Sequence, residues 1–154
     1  MATVVIVACD GMPTSDGPGI GSPSPGPSAA DLIPLRVDAP PQAAAGALVT
    51  LHVGVRNAGG VPVGPGWAIR VYLSADAVVD TTDVLIDQFV TSGDLRSGGT
   101  DSYLRNKKLS GSLVAGVYFI GSMVDVGNVV PESAESNNTL ASPSSIEVTA
   151  PSGG

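Results

Sequence analysis

The stretch Leu113-Val-Ala-Gly116-Val-Tyr118 opens an apolar run that continues to Val124, in the last third of the chain. A tyrosine that begins a late strand just after a glycine-containing corner is typical of Greek-key β-sandwiches, because its hydroxyl can bond back to the preceding backbone. We therefore predict a structural role for Tyr118, at the start of the penultimate strand of a sandwich, over residues 117–125.

Alternation of apolar and polar residues predicts the strands that accompany this corner. Between residues 47 and 57 every second side chain is apolar, which is the period of a strand with one buried face. The inward residues are Val49, Leu51, Val53 and Val55. His52 falls on the opposite face, so we expect it to be exposed to solvent and to have no catalytic role.

A second alternating run covers residues 67–74 and places Trp67 at the head of its inward side, where it would fill the core or its rim. Its inward residues are Trp67, Ile69, Val71 and Leu73, and its outward residues are Ala68, Arg70, Tyr72 and Ser74. Further strands are predicted at 31–37, 83–91, 100–109 and through 146–148, with Pro34 favouring an edge position for the first. Short valine-rich runs between Gly and Pro clusters, with no helical period, indicate an all-β sandwich.

Composition excludes several classes of protein. The chain has 154 residues and a formal charge of −7, and its seven Lys and Arg are scattered, so a nucleic-acid partner is not expected. A single cysteine and a single histidine allow neither an intrachain disulfide nor a thiolate–imidazole zinc site. No apolar run approaches the roughly 20 residues of a membrane-spanning helix.

The amino-terminal residues predict a tethered domain. Residues 1–9 end in Ile6-Val-Ala-Cys9, which is similar to the lipobox of bacterial lipoproteins, where the cysteine is lipidated. The apolar run is short for a signal segment and no Lys or Arg precedes it, as would follow from a misplaced start codon; a frayed terminus with a chance cysteine is the alternative. Residues 10–30, rich in Gly, Pro and Ser, are predicted to form a disordered linker to a folded unit at 31–150, followed by a tail at 151–154.

Three motifs, in order, resemble the CARDB family, the cell-adhesion-related domain found in bacteria. The first is Val53–Gly60, and the second is Val71–Asp76 together with Asp83-x-Leu85. The third runs from Gly116-x-Tyr118 through the polar residues up to Asn138. The resemblance covers nearly everything between residues 31 and 149.

This resemblance implies a seven-stranded, antiparallel, Ig-like β-sandwich on a secreted or cell-surface protein of a prokaryote. It implies no catalysis and an adhesive or spacer role, with a surface protein or a polysaccharide as partner. The chain departs from many members of the family in showing one copy and no visible partner domain, which leaves the partner open.

Two acidic loops are candidate calcium sites, since Ca²⁺ takes six to eight oxygen ligands in irregular geometry. The stronger candidate follows the penultimate strand and offers Asp125, Asn128, Glu132, Glu135 and Asn137, with Asn138 beside them. The weaker candidate contains Asp76, Asp80 and Asp83, with Asp87 further on. Neither has the spacing of an EF-hand, and the alternative is that these residues cap turns and keep the surface soluble.

These observations favour a non-catalytic surface or secreted module. Structural calcium is the candidate cofactor, and a lipid on Cys9 is the one expected attachment to a membrane. The alternative is a carbohydrate-binding module, for which Trp67, Tyr72 and Tyr103 are the candidate aromatics and Tyr72 is predicted to point outward. An enzyme is not expected, because the chain has no Gly-x-Ser-x-Gly elbow and His52 lies mid-strand.

Overall fold

A computed structural model describes residues 28–151, in which all regular secondary structure is β. Two sheets pack face to face: one has the order β1-β3-β6 and the other the order β2-β8-β7-β4-β5. The strands are β1 (Leu32–Asp38), β2 (Gln42–Ala44), β3 (Leu48–Asn57), β4 (Ala68–Ser74), β5 (Val84–Val90), β6 (Thr100–Lys108), β7 (Gly116–Val124) and β8 (Thr139–Thr149). The predicted all-β sandwich is confirmed, with β1 at an edge as Pro34 indicated.

The strand that the sequence did not predict is β2. It has three residues and pairs in parallel with the end of β8, with Ala43 opposite Val148. The run Gln42–Ala44 shows no alternation and has weak strand propensity. It becomes a strand because the neighbouring β8 supplies its hydrogen-bond partners. The sandwich therefore has eight strands rather than seven, and one of its pairings is parallel.

The core lies between the sheets and follows the alternation of β3 and β4. The predicted inward residues of both strands are buried, and His52 is exposed, as expected. Trp67 is 1% exposed and belongs to the main apolar cluster. Burying one Val, Leu or Ile side chain contributes about 1.5–3 kcal/mol, so these two strands supply a large share of the burial that stabilises the fold.

The outward side of β4 is a correction to the sequence prediction. Tyr72 is 2% exposed and Ser74 is also buried, although both alternate with the core residues. The reason is the loop that follows β4, which folds back over the outer face of the five-stranded sheet. Its Val79 lies so close to Gly121, the cross-strand partner of Tyr72, that a Cβ on Gly121 would overlap the valine side chain.

Polar contacts also hold the corner before β7 and the side where β5 faces β6. The Tyr118 hydroxyl donates to the Val114 carbonyl over 2.9 Å, which confirms the predicted tyrosine corner. Where β5 faces β6, the buried Asp87 forms ion pairs with Arg105 at 2.8 Å and Lys107 at 2.7 Å. Burial alone would raise the pKa of Asp87, but the hydrogen bonds from the two cations hold it below its usual value.

Candidate functional site

One end of the sandwich gathers most of the polar residues that the sequence singled out. There the chain segment before β1 passes between the loop that follows β3 and the loop that joins β7 to β8. The Ala29 carbonyl accepts from Gly60 N over 2.9 Å, and the Ala30 carbonyl accepts from Ser133 N over 2.8 Å. A Cβ on Gly59 would overlap the backbone of residues 29 and 30, so this approach requires glycine. Hydrogen bonding to the domain thus begins before the boundary predicted at residue 31.

Asn57, at the end of β3, is the hub of this polar end. Its side-chain oxygen accepts from Asp31 N at 3.2 Å and Gly59 N at 3.0 Å, and its amide donates to the Val61 carbonyl at 2.8 Å and the Leu95 carbonyl at 3.2 Å. The side chain is fully buried, and every one of these bonds satisfies a backbone group. In the sequence, Asn57 was noted only as part of the Val53–Gly60 motif; an asparagine directly before Ala-Gly-Gly at a strand end was the available signal.

Glu132 joins the loop after β7 to the start of β1. Its Oε2 accepts from Leu32 N over 2.7 Å, and its Oε1 accepts from the Asn138 amide over 3.2 Å. Burial raises the pKa of Glu132 to about 7, and the nearby Glu135 and Asp125 add to the rise, against the lowering effect of the two hydrogen bonds. A carboxyl group with this pKa is a functional-site candidate, although structural networks produce the same shift.

Asp125 organises the first turn of the same loop. Its two carboxylate oxygens accept from Val129 N at 3.1 Å and Val130 N at 2.8 Å, and its carbonyl accepts from Asn128 N at 2.8 Å. Asp125 and Asn128 both have positive φ, 44° and 46°, which Asp and Asn tolerate better than most residues. These two residue types are therefore explained by the turn itself.

The second half of the loop returns to the start of β1. Glu135 Oε1 accepts from Glu132 N over 3.1 Å, and the Asn137 amide donates to Asp31 over 2.8 Å. The side-chain oxygens of Asn137 and Asn138 are buried and have no hydrogen-bond partner among the residues that the structure describes. Asp31 was not among the predicted site residues, but its hydrogen bond with Asn137 makes it part of the site.

As a metal centre, this donor set fits a cation only in part. The carboxylates of Asp125 and Glu132 each hold two N–H donors, and the carboxamide oxygens of Asn137 and Asn138 are the acceptors left over. Within residues 28–151, no three His, Cys, Asp or Glu side chains are grouped so that they could hold a metal ion. The geometry supports a hydrogen-bonded clamp on the start of β1, and the predicted calcium site stays a prediction.

The weaker candidate loop, between β4 and β5, holds itself together locally. Asp76 accepts from Val78 N over 2.8 Å, and Asp80 accepts from Thr82 N over 2.7 Å. The Asp83 carboxylate accepts from Asp80 N over 2.8 Å. The hydrogen bonds from Thr82, chiefly from its hydroxyl, lower the pKa of Asp80. All three predicted residues thus accept hydrogen bonds from residues only two or three positions away.

The aromatic residues considered for carbohydrate binding are not displayed together. Trp67 and Tyr72 are buried. Tyr72 lies on the outer face of its sheet but beneath the loop after β4, so the expectation that it is displayed to solvent is wrong. Tyr103 is half-buried between the sheets, with its ring centre 5.1 Å from that of Phe89, and Arg105 lies over the same Phe89 ring at 4.4 Å. These three aromatics form no exposed stacking platform.

An uncharged groove of about 580 Å³ lies beside the polar end. Its walls are Ser28–Ala30, Val61–Trp67 and Val129–Pro131, which contain no charged residue.

No helix in the described part of the chain is long and apolar enough to cross a membrane. Cys9 and the predicted lipobox lie outside the described residues, as do residues 10–27 of the predicted linker and 152–154 of the predicted tail.

Comparison with known proteins identifies relatives of the domain. The CARDB family profile matches residues 29–142. The CARDB domain of a Pyrococcus furiosus protein, solved in complex with di-metal ions, superposes with a TM-score of 0.60 at 22% identity, covering 80% of this chain and 92% of that domain. A domain of a candidate cell surface protein from Methanosarcina acetivorans gives a TM-score of 0.56 at 20% identity, covering 79% and 93%. No protein of curated function matches the sequence significantly.

Proposed function

Because the chain belongs to the CARDB family, a non-enzymatic type of module, we propose that it is a secreted or cell-surface domain that supports adhesion through protein–protein contact. The observation that carries this proposal is that the carboxylates at the polar end accept hydrogen bonds from backbone groups. Its carboxylates hold the backbone of β1 and of the last loop, and so serve the fold rather than a reaction. The Methanosarcina relative supports a surface location.

We propose the outer face of the three-stranded sheet as the contact surface. The loop after β4 covers part of the other sheet, whereas β3 and β6 expose their outward side chains. Leu104 is 70% exposed opposite His52, and Arg56 and Lys108 lie on the same face. A sheet face with exposed leucine and cationic side chains suits the surface of an acidic protein better than it suits a small molecule.

Adhesion is tested with beads coated with the full chain and with intact cells of the source organism. We expect wild-type beads to adhere and Leu104→Asp beads to lose adhesion. The matched control is Val117→Asp, because Val117 is 61% exposed on β7 of the other sheet. Equal adhesion of all three, or adhesion no greater than that of albumin-coated beads, would refute the proposed face. Adhesion that survives protease treatment of the cells but not periodate oxidation would favour the carbohydrate-binding alternative.

Location is tested separately. Protease shaving of intact cells should remove the protein when it is surface-exposed, and Cys9→Ser should release it from the membrane fraction when the cysteine carries a lipid. Full protection from protease in intact cells would contradict a surface location. An unchanged membrane fraction for the Cys9 variant would contradict the lipid anchor alone.

Calcium binding is a further proposal for the loop after β7, where Glu132 and Asn138 are in contact. The other candidate donors of this loop are Asp125, Asn128, Glu135 and Asn137. Its support is the pair of unpartnered carboxamide oxygens and the position of Glu132, where burial raises the pKa and the nearby Glu135 and Asp125 raise it further. A cation bound only by the folded state would raise the melting temperature by mass action. Identical melts in EDTA and in millimolar calcium would rule it out.

A further inference from the structure

We infer that the domain is built to carry tension between its two ends, as a mechanical link between whatever precedes residue 28 and whatever follows residue 151. At one end, Ala29 and Asp31 bond to Gly60 and Ala58, just beyond the last residue of β3. At the other end, the Thr149 carbonyl accepts from Ala45 N over 2.9 Å, just before the first residue of β3. Ten residues of strand separate these ends by roughly 30 Å.

The first part of the force path is β1. It runs antiparallel to β3 from the Leu32–Asn57 pair to the Asp38–His52 pair. Antiparallel hydrogen bonds lie perpendicular to the strands, so a pull along β1 strains them together rather than one after another. Ahead of β1, the bonds of residues 29–31 to both neighbouring loops add to the same resistance.

The second part of the path is the parallel pair of β2 and β8. Tension on the N-terminal side draws β2 toward its own N-terminal end, and tension on the C-terminal side draws β8 toward its C-terminal end. Because the strands are parallel, these pulls slide them past each other. The bonds that frame the pair, Glu147 N to the Pro41 carbonyl and Ala45 N to the Thr149 carbonyl, are both 2.9 Å long and must yield in the same event.

This role goes beyond adhesion to a partner but rests on the proposed surface function, because only an anchored module with a bound partner experiences tension. The small size of β2 is then informative. Three residues add little to folding, yet they add a second set of bonds, beside the β7–β8 ladder, that must shear when β8 is pulled along its axis. Forced unfolding is governed by the unfolding rate, so bonds that must break simultaneously set the force that is measured.

The test is single-molecule force spectroscopy on the full chain in a Cys9→Ser background. One series is pulled through the two termini, and the other through a handle on Leu48→Cys and the C-terminus. Leu48 is 71% exposed and lies at the same end as Thr149, so the second geometry peels β8. We expect a higher unfolding force for terminal pulling. Equal forces in the two geometries would overturn the inference.

A variant identifies the element that resists. Ala45→Pro removes the donor to Thr149 and should reduce the difference between the two pulling directions. Val79→Ala is the control, because it weakens packing in the loop after β4, which lies on neither force path. An Ala45→Pro variant that folds and keeps the full difference, or an equal loss in the control, would refute the role of β2. These measurements need no partner, so failed adhesion and failed mechanics are told apart.

Discussion

The two acidic loops have similar compositions but hold different parts of the molecule. In the loop after β4, Asp76, Asp80 and Asp83 bond to residues two or three positions away. In the loop after β7, Glu132 bonds to Leu32, which is 100 positions away, and Asn137 bonds to Asp31, which is 106 positions away. Loops rich in Asp, Glu and Asn can therefore be local turns or long-range clamps, and composition does not distinguish them.

The loops also differ in how they attach to the sandwich. The first loop is attached by an apolar contact, Val79 against Gly121, and its Asp76 and Asp80 are exposed. The second is attached by polar contacts in a partly buried position, which is why Glu132 is the carboxyl whose pKa rises. Removing the attachment should therefore have different consequences in the two loops.

The largest effect is expected for Glu132→Ala. It leaves Leu32 N and the Asn138 amide without their acceptor in a half-buried position, which should lower the free energy of unfolding by about 2–3 kcal/mol. Urea denaturation of the variant and the wild type measures this difference. A loss below that of Asp76→Ala would show that the clamp contributes nothing to stability.

A smaller effect is expected for Val79→Ala in the first loop. The buried side chain loses its contact with β7, so the free energy of unfolding should fall by about 1–2 kcal/mol. The same denaturation experiment applies. A neutral result would mean that the loop is not attached through its valine.

The pH dependence of stability sharpens the contrast further. The pKa of Glu132 is about 7 in the folded state, against 4.5 as its ordinary value. The folded state therefore binds the proton of Glu132 more tightly than the unfolded state does. The stability that this proton contributes is complete below pH 4.5 and is lost as the pH rises through 7. We expect Glu132→Gln to remove this loss, seen as a smaller difference between urea midpoints at pH 5 and pH 8.

Asp80 gives the opposite sign and serves as the control for that experiment. Its pKa is lowered by Thr82, so its contribution is present above its ordinary pKa and is lost as the pH falls. Asp80→Asn should leave the difference between pH 5 and pH 8 unchanged. A matching change in both variants would indicate a general charge effect instead of one at Glu132.

The smallest effect is expected for Asp76→Ala. Its carboxylate accepts from Val78 N within an exposed turn, where water can replace it. The free energy of unfolding should change by no more than about 0.5 kcal/mol. A loss comparable to that of Glu132→Ala would remove the distinction between local turn and long-range clamp.

Much of the fold followed from local pattern, whereas most of the site did not. The alternation along β3 predicted its buried face and the exposure of His52, because the side-chain period of a strand is two. The glycine corner predicted the Tyr118 hydrogen bond, since the two bonded residues, Val114 and Tyr118, are only four positions apart. Asp125 and Asn128 were correctly placed in the loop after β7, but their turn-forming role depends on backbone bonds that residue type alone does not specify.

The sequence by itself determined the core-facing residues of β3 and β4, the tyrosine corner and the family, because each is recorded in residues close together along the chain. Only the tertiary structure decided that Tyr72 is buried, that β2 pairs with β8, and that Glu132 holds Leu32. Each of these needs a second segment to arrive from a distance, and the free energy of that contact depends on burial and geometry. Local periodicity carries no information about such encounters.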